Sequence, residues 1–313
     1  MSENPPRKNK IEHRFGGPWT EVKLDAITYY LAFFTGALRD KPRPERPFQL
    51  WYFDAFAGSG DRVATRQTGG VLDGAPVEQA DVTLDGSARR ALLIDPPFKH
   101  YIFIEQDAKR AVALRGLAAE YASRDIRVES RDGNEALCEI FTSPPWSQQP
   151  NGKGPHRGVV FLDPYGMSVR WTTLEALAAT GAIDVWYLFN LAAVVRQLAN
   201  DFSAVDLYKQ AKLDEIFGTP DWRTELYQQK IAPDLFDTSG TTTSTIRSAS
   251  PRQIESYAKR RLESLFPYVS DPLPLLMAGR TQLFSLFCLS ANSSPIAIDL
   301  VKRGVRSVLK KYR

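Results

Sequence analysis

Histidine and cysteine are scarce in this 313-residue chain, and their scarcity removes several chemistries at the outset. The two cysteines, Cys138 and Cys288, lie far apart, which argues against a disulfide framework and a cysteine-based metal site. The three histidines, His13, His100 and His156, have no Ser, Cys or metal-ligand partner at a useful spacing. Hydrolase triads and His-rich metal centres are therefore not expected, and no metal ligand is assigned. There is no Walker-type phosphate loop. No apolar run approaches the roughly 20 residues of a bilayer-spanning helix, so no membrane contact is expected. The opening stretch "MSENPPRKNKIEHRF" lacks the apolar core of a signal peptide, and a cytoplasmic protein is the expectation.

What is present suits a globular enzyme-sized unit. A 43% hydrophobic content supports a sizeable core, as one large α/β domain with insertions or as two smaller domains. The formal net charge of +4 is compatible with a polyanionic partner such as nucleic acid. Basic residues gather in the first ten positions and in the last twelve, where Lys302, Arg303, Arg306, Lys310, Lys311 and Arg313 fall. The second group reads either as a solvated helix face or as a phosphate-binding stripe.

Residues 1–18 read as a flexible leader. Apolar residues at helical spacing (Leu24, Ile27, Leu31, Phe34) predict a helix from about Thr20 to Leu38, with Thr20 as its N-cap. Apolar strands then alternate with helices: "FQLWYFDAF", "YIFIEQD", "IRVES", "RGVVFLDPYG" and "DVWYLFNL". Continuous apolar strands between helices predict a parallel sheet covered on both faces. Residues 196–250 read as an inserted helical subdomain ending in a mobile Ser/Thr-rich loop, "DTSGTTTSTIRSAS". In 251–313, a helix precedes two apolar runs joined by Ala278-Gly279-Arg280, which predict an antiparallel hairpin. With 19–195 carrying the first five strands, the predicted fold is α/β and Rossmann-like, a class I methyltransferase arrangement. Its sheet is seven-stranded and mostly parallel, in the order 3-2-1-4-5-7-6.

In an open α/β sheet the ligand crevice lies beyond the carboxyl ends of the strands, where strand order reverses. "DAFAGSG" comes after the first strand there, and Gly58 and Gly60 can take positive φ and let a ligand approach the backbone. This stretch resembles motif I of S-adenosylmethionine-dependent methyltransferases, with Phe56, Gly58 and Gly60 matching and Asp54 in the acidic position. The stretch after Gly60, "DRVATRQTGGVLDGAP", is more polar and Gly-rich than a covering helix should be. Glu105 closes the second strand, where such folds place a carboxylate for two ribose hydroxyls, once an insertion is assumed between it and the glycines. Asp132 and Gly133 come after the third strand, at the position of an adenine contact.

Three stretches compete for the catalytic loop. Asp95-Pro96-Pro97-Phe98 resembles the motif with which amino-methyltransferases hold a nucleobase nitrogen, but it precedes the second strand and so falls at the wrong end of the sheet. Ser143-Pro144-Pro145-Trp146 comes after a helix and opens a polar surface stretch. Only Asp163-Pro164-Tyr165-Gly166 ends a strand in the right order. Methyl transfer is an in-line displacement, so the attacking atom must be aimed. By the resemblance, Asp163 and the Pro164 backbone would orient an amine and Tyr165 would stack on its ring. The loop departs from Asp-Pro-Pro-Tyr in having Tyr165 for the second proline and Gly166 for the aromatic. An Asp-Pro turn leaving a strand remains the other reading. Lys23, on the first helix, is either a solvated lysine or, by analogy, a partner for the cofactor's carboxylate.

"WTEVKLDAITYYLAFF", "YFDAFAGSG" with "DGAP", "FIEQD", "RDGNEAL", "FLDPYGMSV" and "LFSLFCLSA", in that order, resemble the three-Cys-motif partner (TcmP) family. The similarity covers most of 19–313 and is weakest in the inserted region. It implies a methyltransferase-like fold in a bacterial protein that pairs with a separate three-Cys-motif protein similar to radical-SAM proteins. Three roles are open to such a chain: an S-adenosylmethionine-dependent methyltransferase, a non-catalytic module acting on its partner protein, or a polyanion-binding protein.

Overall fold

The computed structural model describes residues 18–68, 78–149, 152–233, 241–277 and 281–312. Almost all of the expected leader therefore lies outside the described residues. Helix α1 (Pro18–Leu38) starts before Thr20, with a proline in the first turn where its missing N–H costs nothing. Thr20 is thus inside the helix and not its cap, and its buried hydroxyl has no hydrogen-bond partner.

Strand β1 (Gln49–Asp54) leads into the motif-I-like loop, and the element after that loop is not a helix. It is an antiparallel hairpin, β2 (Asp61–Thr68) with β3 (Glu78–Asp85), which returns to the short helix α2 (Ser87–Leu92). The hairpin supplies the extra length between Gly60 and Glu105. Its base is fastened by the Gly86 N–H donating to the Gly60 carbonyl at 2.9 Å and by Arg89, which reaches both Asp61 and Glu120.

The chain continues through β4 (His100–Ile104), α3 (Ala108–Glu120), β5 (Asp125–Glu129), α4 (Gly133–Thr142), β6 (His156–Leu162), α5 (Trp171–Ala179), β7 (Ile183–Phe189) and α6 (Leu191–Gln197). Helices α7 (Leu207–Phe217) and α8 (Trp222–Glu225) come next. The inserted region is not wholly helical: β8 (Tyr227–Pro233) pairs antiparallel with β9 (Thr241–Arg247). Residues 241–247 of the stretch expected as a mobile loop are thus a strand, consistent with the strand preference of β-branched threonine. Arg247 ties that strand to the end of α6, donating to the Val195 and Leu198 carbonyls.

Helix α9 (Pro251–Glu263), started by a Ser250/Gln253 capping box, leads to β10 (Tyr268–Val269), β11 (Leu273–Leu276), β12 (Gln282–Ser290) and α10 (Pro295–Tyr312). The central sheet runs β5-β4-β1-β6-β7-β12, with β10 and β11 both antiparallel to β12. This is the expected Rossmann-like order, except that the sixth strand is split and the sheet is eight-stranded, not seven-stranded. Pro272 has no N–H to give the ladder, and at the break the Ser270 hydroxyl accepts the Cys288 N–H at 2.9 Å.

Alternate residues of β1, β4, β6, β7 and β12 feed two cores, which is why these strands read as unbroken apolar runs. Phe53, Ile102, Val160, Tyr187 and Phe287 pack under α4, α5, α6 and α9. Tyr52, Phe103, Phe161, Trp186 and Cys288 face α1, α2, α3 and α10. Trp146 of the "SPPW" stretch belongs to the first core, against Phe53 and Phe141, and is not a surface residue.

Candidate functional site

Register decides which side chains meet. Asp54, the last residue of β1, pairs with Phe103 on one side and Phe161 on the other. Glu105, just beyond β4, and Asp163, just beyond β6, are therefore held at the same edge as the loop after β1. Asp95–Phe98 precedes β4 and lies at the opposite edge, with Phe98 buried against Phe34 and Tyr52.

The loop is shaped by glycine. Gly58 and Gly60 have φ of +64° and +83°, left-handed values that a side chain disfavours. Gly133 serves close packing: a Cβ there would stand 2.5 Å from the Ala55 carbonyl oxygen. Asp132 is the N-cap of α4, its carboxylate accepting from the Asn134 and Glu135 N–H groups. Asn134, buried next to it, donates to the Ser168 carbonyl and accepts from the Arg170 N–H and the Thr173 hydroxyl. It thus anchors the backbone just after the Asp163 loop.

Glu105 is buried and already engaged. One oxygen accepts the Gly58 N–H at 3.0 Å; the other accepts the Asp107 N–H at 2.8 Å and pairs with Arg110 at 2.9 Å. A carboxylate offers about four acceptor positions, so one is free and a second opens only if Arg110 moves. Arg110 also donates to the Tyr165 hydroxyl at 2.8 Å, with its guanidinium 5.2 Å from that ring's centre. It therefore bridges the end of β4 to the loop after β6.

Asp54 is completely buried, and burial pushes its carboxyl up to about 7, against the opposing pull of the Ser87 side chain and the Phe56 N–H. Its Oδ1 has no hydrogen-bond partner. Lys23, also buried, directs its ammonium to the Asp163 carboxylate, with the Trp19 and Phe161 rings 5.2 and 5.8 Å away. The lysine is neither solvated nor unpaired.

A cleft of about 640 Å³ opens over this edge, with Trp19, Lys23, Phe56, Gly58, Asp163 and Tyr165 in its wall. That size is ordinary for a small-molecule site. Gly60 and Pro164 line it too, whereas Asp54 and Glu105 are buried behind the loop and Asp132 and Gly133 stand apart at the start of α4. Several wall residues were not singled out from the sequence: Trp19, Arg110, Asn190 and Phe284. Arg110 had a readable signal, since it is the third residue of the helix just after Glu105. Phe284, brought against Trp19 at 4.6 Å from the far end of the chain, had none. Among the described residues no group of three His, Cys, Asp or Glu side chains is placed to hold a metal ion, and no helix is long and apolar enough to cross a membrane.

The strand order and the loop over its edge define a Rossmann-like, methyltransferase-type α/β protein. No family model and no curated protein matches the chain. Among solved structures it is similar to a Legionella pneumophila protein at 14% identity, covering 80% of this chain and 92% of that one, with a TM-score of 0.40. It is also similar to an S-adenosylmethionine-dependent methyltransferase from Clostridium acetobutylicum (8% identity, 84% and 91% covered, TM-score 0.33). Trm1 from Pyrococcus horikoshii, solved with S-adenosyl-L-methionine, is similar at 9% identity over 95% and 76% of the two chains, with a TM-score of 0.35. At these scores the fold assignment stands on this chain's own topology.

Proposed function

We propose that the chain is an S-adenosylmethionine-dependent methyltransferase. The observation that supports it is the convergence, at one edge of the sheet, of the Gly58/Gly60 loop, Glu105 and Asp163, with the glycines and Asp163 in the wall of one cleft and Glu105 behind the loop. The sequence resemblances treated these as a set. Asp54, Phe56, Gly58, Gly60 and Glu105 would hold the cofactor, with Asp132 and Gly133 at its adenine end. Bound there, the cofactor would supply an electrophilic methyl group. The unpartnered Asp54 oxygen and the remaining acceptor position on Glu105 are features that a polyhydroxylated, amine-bearing ligand would satisfy once the loop in front of them yields.

The chain's own part in the reaction is orientation. Asp163 and the Pro164 carbonyl would accept hydrogen bonds from the acceptor, aligning its lone pair for in-line attack. Lys23 keeps Asp163 in place, and so acts through it as a positioning residue. Tyr165 would stack on the acceptor once Arg110 lets go of its hydroxyl. Calorimetry with S-adenosylmethionine tests the reading: binding to the wild type, lost in Glu105→Ala, is expected. Absent binding, or undiminished binding in the variant, rejects it.

A second reading is favoured by the engagement of both loop groups, Asp163 by Lys23 and Tyr165 by Arg110. It is a cytoplasmic, non-catalytic module that binds a three-Cys-motif partner protein, as the family resemblance implies. Methyl transfer that disappears in a folded Asp163→Asn variant excludes it.

A further inference from the structure

Helix α10 is strongly two-sided. Val301, Gly304, Val305 and Val308 are buried against the second core, and a Cβ at Gly304 would meet the Phe33 ring at 2.6 Å. The opposite side exposes Lys302, Arg303, Arg306, Lys310 and Lys311. Lys302, Arg306 and Lys310 recur every fourth residue, a row of about 12 Å at 1.5 Å per residue.

An ordinary solvated helix face mixes signs about evenly, whereas this one sets a single acid against five cations. The only acidic residue of α10, Asp299, is held by Arg303 at 3.2 Å. Among the described residues, Lys302, Arg306, Lys310 and Lys311 have no carboxylate within ion-pair distance. The neighbouring elements do not neutralise them: Glu21 and Asp25 on α1 both reach Arg90, Asp271 before β11 reaches Lys259, and β12 carries no acid. The row is therefore an uncompensated positive strip.

Aromatic rings stand along it. Lys302 lies 5.8 Å from the Tyr268 ring centre; Lys311 lies 4.9 Å from Tyr29 and 5.2 Å from Tyr312. Tyr29 is 39% exposed, on the outer side of α1. It is also six residues from Lys23 along α1, about 9 Å of helix axis. Lys23 lines the cleft, so the strip ends close to the cleft's α1 wall.

We propose that the exposed face of α10, with Tyr29 at its end, binds an unpaired nucleic-acid strand. The lysines and arginine would take its phosphates and Tyr29 would stack on a base. A row of cations with an exposed aromatic ring at its end is what single strands use: phosphates supply the charge and every base has a face to stack. A duplex satisfies the cations but offers Tyr29 no unpaired base to stack on, and an anionic lipid surface has no base at all. As an assignment of the acceptor class to the cleft, the inference rests on the methyltransferase reading; as an assignment of a binding surface, it does not.

The experiment is fluorescence anisotropy on the full chain with labelled 20-nucleotide RNA and DNA single strands, a 20-base-pair duplex, and vesicles of phosphatidylcholine with phosphatidylglycerol, over a salt series. The single strands should bind best, with affinity falling steeply with salt. The triple variant Lys302→Ala/Arg306→Ala/Lys310→Ala should lower the log–log salt slope by about 2, and the affinity at 0.1 M salt on the order of 100-fold. Tyr29→Ala should lose about tenfold on single strands and little on the duplex. All three side chains of the triple variant are exposed, and its circular dichroism melt should match the wild type. Calorimetry with S-adenosylmethionine runs in parallel. Strand binding without cofactor binding leaves this surface standing and removes the methyltransferase reading. Cofactor binding with no strand affinity, an unchanged salt slope in the triple variant, or a preference for vesicles overturns the surface.

Discussion

Two buried aspartates stand at opposite ends of the sheet. Asp184, near the start of β7, and Asp54, at the end of β1, are both enclosed, and burial raises both carboxyls, to about 6 and about 7. Their hydrogen bonds differ. Asp184 accepts from the Tyr30 hydroxyl at 2.8 Å and from the Ser290 hydroxyl at 2.6 Å, so each oxygen is satisfied and α1, β7 and β12 are tied together. Asp54 has one oxygen without a hydrogen-bond partner, the Tyr52 hydroxyl at only 3.5 Å from the other, a pull from the Ser87 side chain and the Phe56 N–H, and the Lys23–Asp163 pair as its charged neighbours. The comparison separates a carboxyl that builds the fold from one whose cost the fold does not recover. An unrecovered cost is a mark of a functional site.

The sharpest way to break this comparison is to truncate both. Asp184→Ala strands two buried hydroxyls and should cost about 3 kcal/mol in urea unfolding. Asp54→Ala, removing a carboxyl that has fewer partners, should cost about 1 kcal/mol. Equal losses would erase the distinction.

Proton linkage comes next in size. Each carboxyl binds its proton more tightly folded than unfolded, where the ordinary aspartate value is 3.8. Stability is thus fully present below about 4 and declines as pH rises, through about 6 for Asp184 and about 7 for Asp54. Between pH 6 and 8 the Asp54→Asn variant should lose less stability than the wild type, by about 1–2 kcal/mol at one pKa unit per 1.36 kcal/mol. A wild type that becomes more stable over that interval contradicts the assignment.

Smaller effects sharpen the site end alone. If Arg110 competes for Glu105, Arg110→Ala should bind S-adenosylmethionine a few-fold more tightly, about 1 kcal/mol on the scale of a charge-assisted contact; weaker binding makes Arg110 a ligand contact instead. Tyr165→Phe removes an exposed bond to Arg110 and should leave the melting curve within about 0.5 kcal/mol of wild type. A larger shift would mean that the Arg110 bridge holds the loop for stability.

Strands β1, β4, β6, β7 and β12 were legible because each is buried on both faces, so their apolar runs needed no knowledge of what covers them. Strand order then dismissed Asp95-Pro96-Pro97-Phe98, since a motif ahead of a parallel strand cannot stand beside loops at the strands' carboxyl ends. The two hairpins were not legible. "DRVATRQT" and "TTTSTIR" carry no long apolar pattern, and a hairpin outside the main sheet leaves little of the alternation by which strands are recognised. The packing of Trp146 was hidden for a related reason: a polar neighbourhood in sequence gave no sign of a ring that packs against Phe53 and Phe141.

The chain's local pattern determined the two-sided sheet, the glycine turn after its first strand and the carboxylates at the strand ends, because periodicity and backbone permission act over a few residues. Only the tertiary structure decided what those carboxylates do. Lys23 meets Asp163 from 140 positions away, and Arg110 links Glu105 to Tyr165, 55 positions further along than itself. The charge of a buried group depends on what packs around it in space, and no spacing along the chain encodes that directly.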